Sequence, residues 1–398
     1  MSDIGGRRAG EEMKLDLSSI AAKFQFDGTF LQAKPHKSGH INDTFIVQVQ
    51  DQANQLRRYV LQRINHYVFQ NPQGLMRNIQ LVTEHLRAKI IAAGGDPERE
   101  ALTLVPTNDG EVLLQTSQGE YWRAYVFIER ARTYQVPKSA HQVYGAARAF
   151  GNFQRMLIEF PAAQLHETIP NFHNTPKRFA DLLTAVSADT ENRVTLAKAE
   201  IEFAEVRAVE MSTLMDLLER GELFERVIHN DTKFNNVMID DKSGEGICVI
   251  DLDTVMPGLL LYDFGDLVRS AANPAAEDER DLSQVRVDLE VYEQIVRGYL
   301  DAARGFLSST ELNLLAFSAR LMTLECGIRF LTDYLNGDTY FKVQREGHNL
   351  DRCRTQFVMV EDMEGKEDIM NHIAIEYWRE VDGSQQVEVQ RRSVDFGH

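Results

Sequence analysis

Residues Val227 to Asp266 read VIHNDTKFNNVMIDDKSGEGICVIDLDTVMPGLLLYDFGD. An apolar pair leads into His229-Asn230-Asp231, and Asn236 follows five residues after the aspartate. Asn236 to Asp240 (NVMID) alternates as a short strand does, and Ile247 to Asp251 (ICVID) reads as a second strand. The intervening DKSGEG carries the Asp, Ser and Gly that turns favour. With Asp240 facing Ile247 across that turn, an antiparallel register sets Asn236 opposite Asp251, their Cα atoms roughly 4.5–5.5 Å apart. An amide oxygen and a carboxylate then meet at the open end of the hairpin, with Asp231 on the loop that feeds it. Hard oxygen donors with open positions suit Mg²⁺ carrying nucleotide phosphates. A separate aspartate five residues earlier suits a base that takes a proton from a substrate hydroxyl.

The arrangement H-x-D-x-x-x-x-N, followed by a strand ending in Asp, is the catalytic core of the kinase template. Protein kinases write it HRD and DFG; here it reads HND and IDLD. The missing Arg would answer activation-loop phosphorylation, so regulation of that kind is not expected. The stretch resembles the aminoglycoside phosphotransferase-like family of small-molecule kinases, which usually carries HGD in place of HND. That resemblance implies an α+β, bilobal protein-kinase-like fold, with a β-rich N-lobe and a mainly helical C-lobe. It implies Asp231 as catalytic base and Asn236 and Asp251 as Mg²⁺ ligands. Asp253 fits the family's IDxD pattern and assists a second Mg²⁺ if the strand continues. Bland turn residues and a strand end would explain single letters, but not the spacing and the hairpin together.

At 398 residues the chain exceeds one ordinary core, and two lobes are expected. A leader at 1–15, a nucleotide-binding lobe at 16–128 and a catalytic and substrate-binding lobe at 129–398 fit the pattern. The net charge of −17 argues against broad nucleic-acid binding, which needs a basic footprint. No apolar run approaches a bilayer span, and the N-terminus has no apolar core of a secretory signal. Three scattered cysteines make neither a disulfide framework nor a zinc site. A cytoplasmic location is expected.

In the first lobe, Lys37 to Asp43 (KSGHIND) stands where a kinase folds a hairpin over ATP phosphates. It holds one glycine, so Ser38, Gly39, Asn42 and Thr44 would cradle phosphate through backbone, hydroxyl and amide groups. Arg58 to Ile64 (RYVLQRI) is the strand that would supply a phosphate-binding Lys, and it has none. Arg63 could supply the charge; Gln62 is the other candidate, and pleat alternation puts the two on opposite faces. Leu75, Ile79, Val82, Leu86 and Ile90 recur at helical spacing, predicting a helix over 73–92. Glu84 is its carboxylate and the candidate partner for the strand cation. The run YWRAYVFI ends at Phe127 and Ile128, before Glu129-Arg130, where a kinase hinge presents backbone groups to adenine.

In the second lobe, Val143 to Phe160 carries a helical stripe, 174–220 reads as two charged helices, and 281–304 and 310–334 read as further helices. Asp263 and Asp266, in YDFGD, are expected to cap a helix and brace the catalytic loop. The tail from Asp382 is polar and expected to be loosely ordered. SGHINDT, YVLQRIN, YWRAYVFIE, HNDTKFNN, ECGIRFLTDYLNGDTYF and REGHNLDR together resemble the N-acetylhexosamine 1-kinase branch of the family, over roughly residues 20 to 375. The resemblance implies ATP and Mg²⁺, and transfer of the γ-phosphate to the anomeric hydroxyl of N-acetylglucosamine or N-acetylgalactosamine. It places the sugar beside Asp231, with Arg329 and Tyr340 as candidate contacts and His348 a further one. An ion pair with a helix acid is the competing role for Arg329. The competing functions are kinases of the same family acting on aminoglycosides, choline or homoserine, and a nucleotide-binding pseudokinase.

Overall fold

The computed structural model describes residues 16–36 and 41–394, with side chains as far as residue 381. The 1–15 leader and, within the expected phosphate loop, Ser38 and Gly39 lie outside the described residues. The chain divides into two compact units, one running to Val68 and including Thr103–Phe127, the other Phe69–Leu102 with everything from Ile128. The helical segment Phe69–Leu102, interior to the expected 16–128 lobe, therefore belongs to the second unit.

The first unit opens with α1 (Leu17–Ala21) and strands β1 (Thr29–His36), β2 (Asp43–Gln50), β3 (Leu56–Ile64), β4 (Leu104–Val105), β5 (Leu114–Gln115) and β6 (Tyr121–Val126). These form one antiparallel sheet in the order β1-β2-β3-β6-β4, with β5 also on β6. Alternation fixes its core face: Phe45, Val47, Val49, Tyr59, Leu61, Trp122 and Ala124 are all buried on one side.

The second unit begins with α2 (Pro72–Ala92), α3 (Pro97–Glu100), β7 (Ala131–Arg132) and α4 (Ala140–Leu157). It continues with α5 (Thr175–Ala188), α6 (Lys198–Val206) and α7 (Thr213–Glu219). Three helices thus stand where two were expected, because Asp189 turns left-handed at φ 37° and stops α5, and short 3₁₀ turns separate the rest. Strands β8 (Arg226–Ile228), β9 (Val237–Asp240), β10 (Gly246–Val249) and β11 (Met256–Gly258) follow. The unit closes with α8 (Leu260–Ala271), α9 (Leu289–Ala303), α10 (Ser309–Asn313), α11 (Leu315–Leu335) and α12 (His348–Val394).

Helix α12 runs past Asp382, where loose order was expected; its last turns are rich in Gln, Glu and Arg, which favour helix, and no proline interrupts them. Helix α11 is the axis of the unit, buried on nearly every side against α5, α8 and α12. At Gly265 of α8 an added Cβ would collide with the backbone oxygen of Ser318. That close approach sets α8, which carries Asp263 and Arg269, directly on the helix that carries Glu325 and Arg329.

Candidate active site

The loop from β8 to β9 is held by buried hydrogen bonds. Asp263, inside the first turn of α8, accepts from the amide of His229 at 2.9 Å and of Asn230 at 2.7 Å. Gln154 Nε2 donates to it as well, at 2.8 Å. Asp263 therefore braces the loop but does not cap its helix, which has no side-chain cap. Burial pushes its carboxyl above the ordinary range, against the pull of His229 and these donors. The His229 ring lies between Phe150 and Phe153. Its Nδ1 accepts from the Asp231 amide at 3.2 Å, so Nε2 carries the proton given to the Ile250 carbonyl at 2.8 Å. Asn230 has φ 66° and donates its side-chain amide to the Thr254 carbonyl at 2.9 Å.

This scaffold presents Asp231. Lys233 Nζ stands 2.9 Å from its Oδ1, and Asn236 Nδ2 donates to its backbone oxygen at 2.8 Å and to Oδ2 at 3.2 Å. Burial would raise the Asp231 carboxyl, but Lys233 above all, with Arg269, outweighs it and brings it to about 2. It is a carboxylate at any ordinary pH, a quarter exposed, and able to accept a proton only as one is released beside it.

The hairpin itself is shifted by one residue from the expected register. Asp240 caps its own turn, accepting from the amides of Lys242 and Ser243, and Gly244 at φ 74° closes a four-residue loop. Glu245 then faces Asp240, Ile247 is taken up as a bulge, and Val237 pairs Val249. Asn236 consequently bonds across to Ile250, at 2.9 Å, rather than to Asp251. Strand β10 has ended at Val249, and Asp251, left-handed at φ 61°, turns the chain away from any continued pleat. Leu252–Thr254 is a 3₁₀ turn, so Asp253 is not on a continued pleat; it is buried, and its backbone oxygen accepts from Thr168.

Among the described residues no cluster of three or more His, Cys, Asp or Glu could hold a metal by itself. The donor set nevertheless fits Mg²⁺ on a nucleotide, which uses one or two carboxylates and leaves the remaining positions to phosphate and water. Because Asn236 spends its amide nitrogen on Asp231, its Oδ1 is the atom left to a cation.

On α11, Arg329 is half-buried, with its guanidinium 4.9 Å from the Phe172 ring and 5.7 Å from that of Phe341. It makes no hydrogen bond or ion pair among the described residues, so the helix-acid partner considered for it does not occur. Arg178 is its neighbour and donates to the Phe172 carbonyl; burial and the charge of Arg329 pull its pKa down. Tyr340 is exposed, on a loop tied down by Asp333, which accepts from the amides of Thr339, Tyr340 and Phe341. His348 is buried, receives the Gln344 amide and meets Asp278 at 3.0 Å, a bridge within the fold.

In the first unit, Thr44, Gln62 and buried Arg123 are directly opposed across β2, β3 and β6 and share one sheet face. Gln62 donates to Thr44 at 3.0 Å and accepts from Arg123 at 2.9 Å. Arg63 takes the other face, beside Trp122, with its guanidinium between Asp43 and Glu120. Its carboxylates thus come from β2 and from the turn before β6. Asn42 receives the Asn65 amide, and Phe127 donates its amide to Arg58 and stacks on that guanidinium. In the second unit, Glu84 is exposed and bonded by Gln80, and Ile128 is buried against Ala131 and Cys248.

A model of the phosphotransferase enzyme family matches residues 32–305. The chain belongs to that family. A microcompartment-associated aminopropanol kinase is similar in structure at 14% identity and TM-score 0.56, over 89% of this chain and 98% of that one. An aminoglycoside phosphotransferase from Alicyclobacillus acidocaldarius aligns at 12% identity and TM-score 0.57, over 90% and 95%. A spectinomycin phosphotransferase in complex with ADP and spectinomycin aligns at 13% identity and TM-score 0.51, over 91% and 97%. At such identities these show the common fold, a β-rich N-terminal part and a helical C-terminal part.

Within this phosphotransferase the sequence reading missed Lys233, Arg269 and His173. Lys233 was legible as a cation two residues after Asp231. Arg269, three residues after Asp266 on a helix, was legible as its ion pair, here 2.7 Å. Among the described residues no helix is long and apolar enough to cross a membrane, and the three cysteines are free.

Proposed function

We propose that this phosphotransferase moves the γ-phosphate of ATP to the anomeric hydroxyl of an N-acetylhexosamine, giving the sugar 1-phosphate and ADP. The observation that carries the reading is the ionised Asp231 carboxylate, pinned by Lys233 and Asn236 on a loop braced by Asp263. Asp231 orients the acceptor hydroxyl and takes its proton. The hydroxyl oxygen bonds to the γ-phosphorus as the bond to the bridging oxygen breaks, and the leaving electron pair goes to ADP. Lys233 holds the carboxylate in place. Asn236, Asp251 and Asp253 would hold Mg²⁺, which when bound offsets charge on the triphosphate. Phosphate contacts are assigned to the segment from Ser38 to Thr44, with Gln62 and Arg63 the alternatives on β3. Phe127 and Ile128 serve adenine through backbone groups, and Glu84 lies on the helix that follows. Chemistry of this kind is positioning and charge compensation rather than covalent catalysis.

The acceptor side favours a sugar over a cationic alcohol. Arg178 and Arg329 have no carboxylate at ion-pair distance among the described residues. Two such guanidinium groups repel an aminoglycoside or choline and suit the hydroxyls and acetyl oxygen of a neutral sugar. Tyr340, on the adjoining loop, would stack on it.

Mg²⁺-dependent ADP release across N-acetylglucosamine, N-acetylgalactosamine, glucose, choline, homoserine and kanamycin tests this, with the product read by phosphorus NMR. Turnover confined to the N-acetyl sugars with an anomeric phosphate supports it. Turnover with choline or kanamycin discards the acceptor; bound ATP without any acceptor effect favours a nucleotide-binding pseudokinase.

A further inference from the structure

Glu325 of α11, wholly buried, receives Thr175 Oγ1 at 2.6 Å and lies 2.7 Å from His173 Nδ1. On the other side of that ring, Nε2 is 3.0 Å from the backbone oxygen of Asn230, the residue before Asp231. His173 is 8% exposed and packed against Phe172 and Tyr262. Both ring nitrogens therefore face oxygens. A carbonyl only accepts, and an ionised carboxylate only accepts, so a ring satisfying both must donate from both. A neutral ring would set a lone pair against one of them, in a buried place where such a mismatch is costly.

We propose that His173 is held as an imidazolium by Glu325 and is the positioning residue for the Asn230–Asp231 peptide, and through it for the base. The inference rests on Asp231 being that base. Glu325 supports it: burial would raise its carboxyl, but His173, Thr175 and Arg329 bring it below the ordinary range. The same pair reaches the acceptor side. Phe172, next to His173, lies against the guanidinium of Arg329, which stands one helical turn from Glu325. Two positions on one helix thus address the substrate and the peptide that carries the base.

Nitrogen-15 NMR of the full chain with labelled histidine rings, at pH 8, tests the protonation state without reference to activity. Expected is one ring with both nitrogens in the protonated range, assigned by its loss in His173→Gln. In Glu325→Gln that ring should show one unprotonated nitrogen. ADP release should fall about 10²-fold in kcat in both variants, as for a misplaced catalytic group, with the KM for ATP unchanged. The rate is followed with N-acetylglucosamine and with water as acceptor. A sugar that fails to stimulate the wild type overturns the acceptor assignment, while the NMR and the water rate still decide this inference. A wild-type His173 ring with an unprotonated nitrogen, or folded variants with wild-type kcat, would overturn it.

Discussion

Lys233 Nζ stands 2.9 Å from Oδ1 of Asp231, two residues along the same loop. The pair holds Asp231 near 2 against an ordinary 3.8. A carboxyl depressed on folding stabilises the folded state above 3.8, and that contribution is lost as pH falls from 3.8 through about 2. Asp231, as the proposed base, should therefore impose no acid limb on activity near neutrality. Lys233→Met removes the main opposing charge and leaves burial to act, so the acid limb of kcat/KM should move to higher pH. A pH–rate profile of the two proteins checks it.

Asn230 sits at φ 66°, which explains why this position takes Asn here and Gly in the HGD form of the family. Asn230→Gly should keep the loop and most of the activity, losing the bond to Thr254. Asn230→Ala should cost about 1–2 kcal/mol in strain alone. Urea denaturation of both variants, with kcat alongside, measures the difference.

Asp263 accepts two buried amides that have no other acceptor in the loop. In Asp263→Ala each orphaned donor should cost about 1–3 kcal/mol. The variant should melt well below the wild type, and any folded fraction should have a lower kcat because the loop that carries Asp231 is no longer fixed.

Among the described residues, no hydrogen bond or ion pair takes up the donors of Arg329. Arg329→Gln should raise the acceptor KM while leaving the KM for ATP unchanged, read from ADP-release kinetics varied in each substrate. The fold should tolerate the change, since no ion pair among the described residues is broken.

Local pattern made much of this legible. Alternation and turn chemistry located the hairpin, and the spacing of Asp231 and Asn236 located the loop. The register was not legible to one residue, because it depends on Asp240 capping its own turn and on which residue bulges. The path of the chain after β10 was hidden for the same reason: Asp251 is left-handed and a 3₁₀ turn follows it, and no letter announces that. Long-range partners were out of reach. His173 and Glu325 are 152 positions apart and meet only once α11 is buried. The pleat splits Arg63 and Gln62 between faces as expected, but the acids that take up Arg63 come from β2 and from the turn before β6.

In the proposed reaction Asp231 is the base of a phosphoryl transfer to a hydroxyl. Asp231→Asn keeps the size and the contact with Lys233 but cannot take the proton. Its acceptor-dependent ADP release should fall by about 10²–10⁴-fold, the usual contribution of a general base, with ATP binding and the melting temperature near wild type. Wild-type turnover in that folded variant would contradict the account.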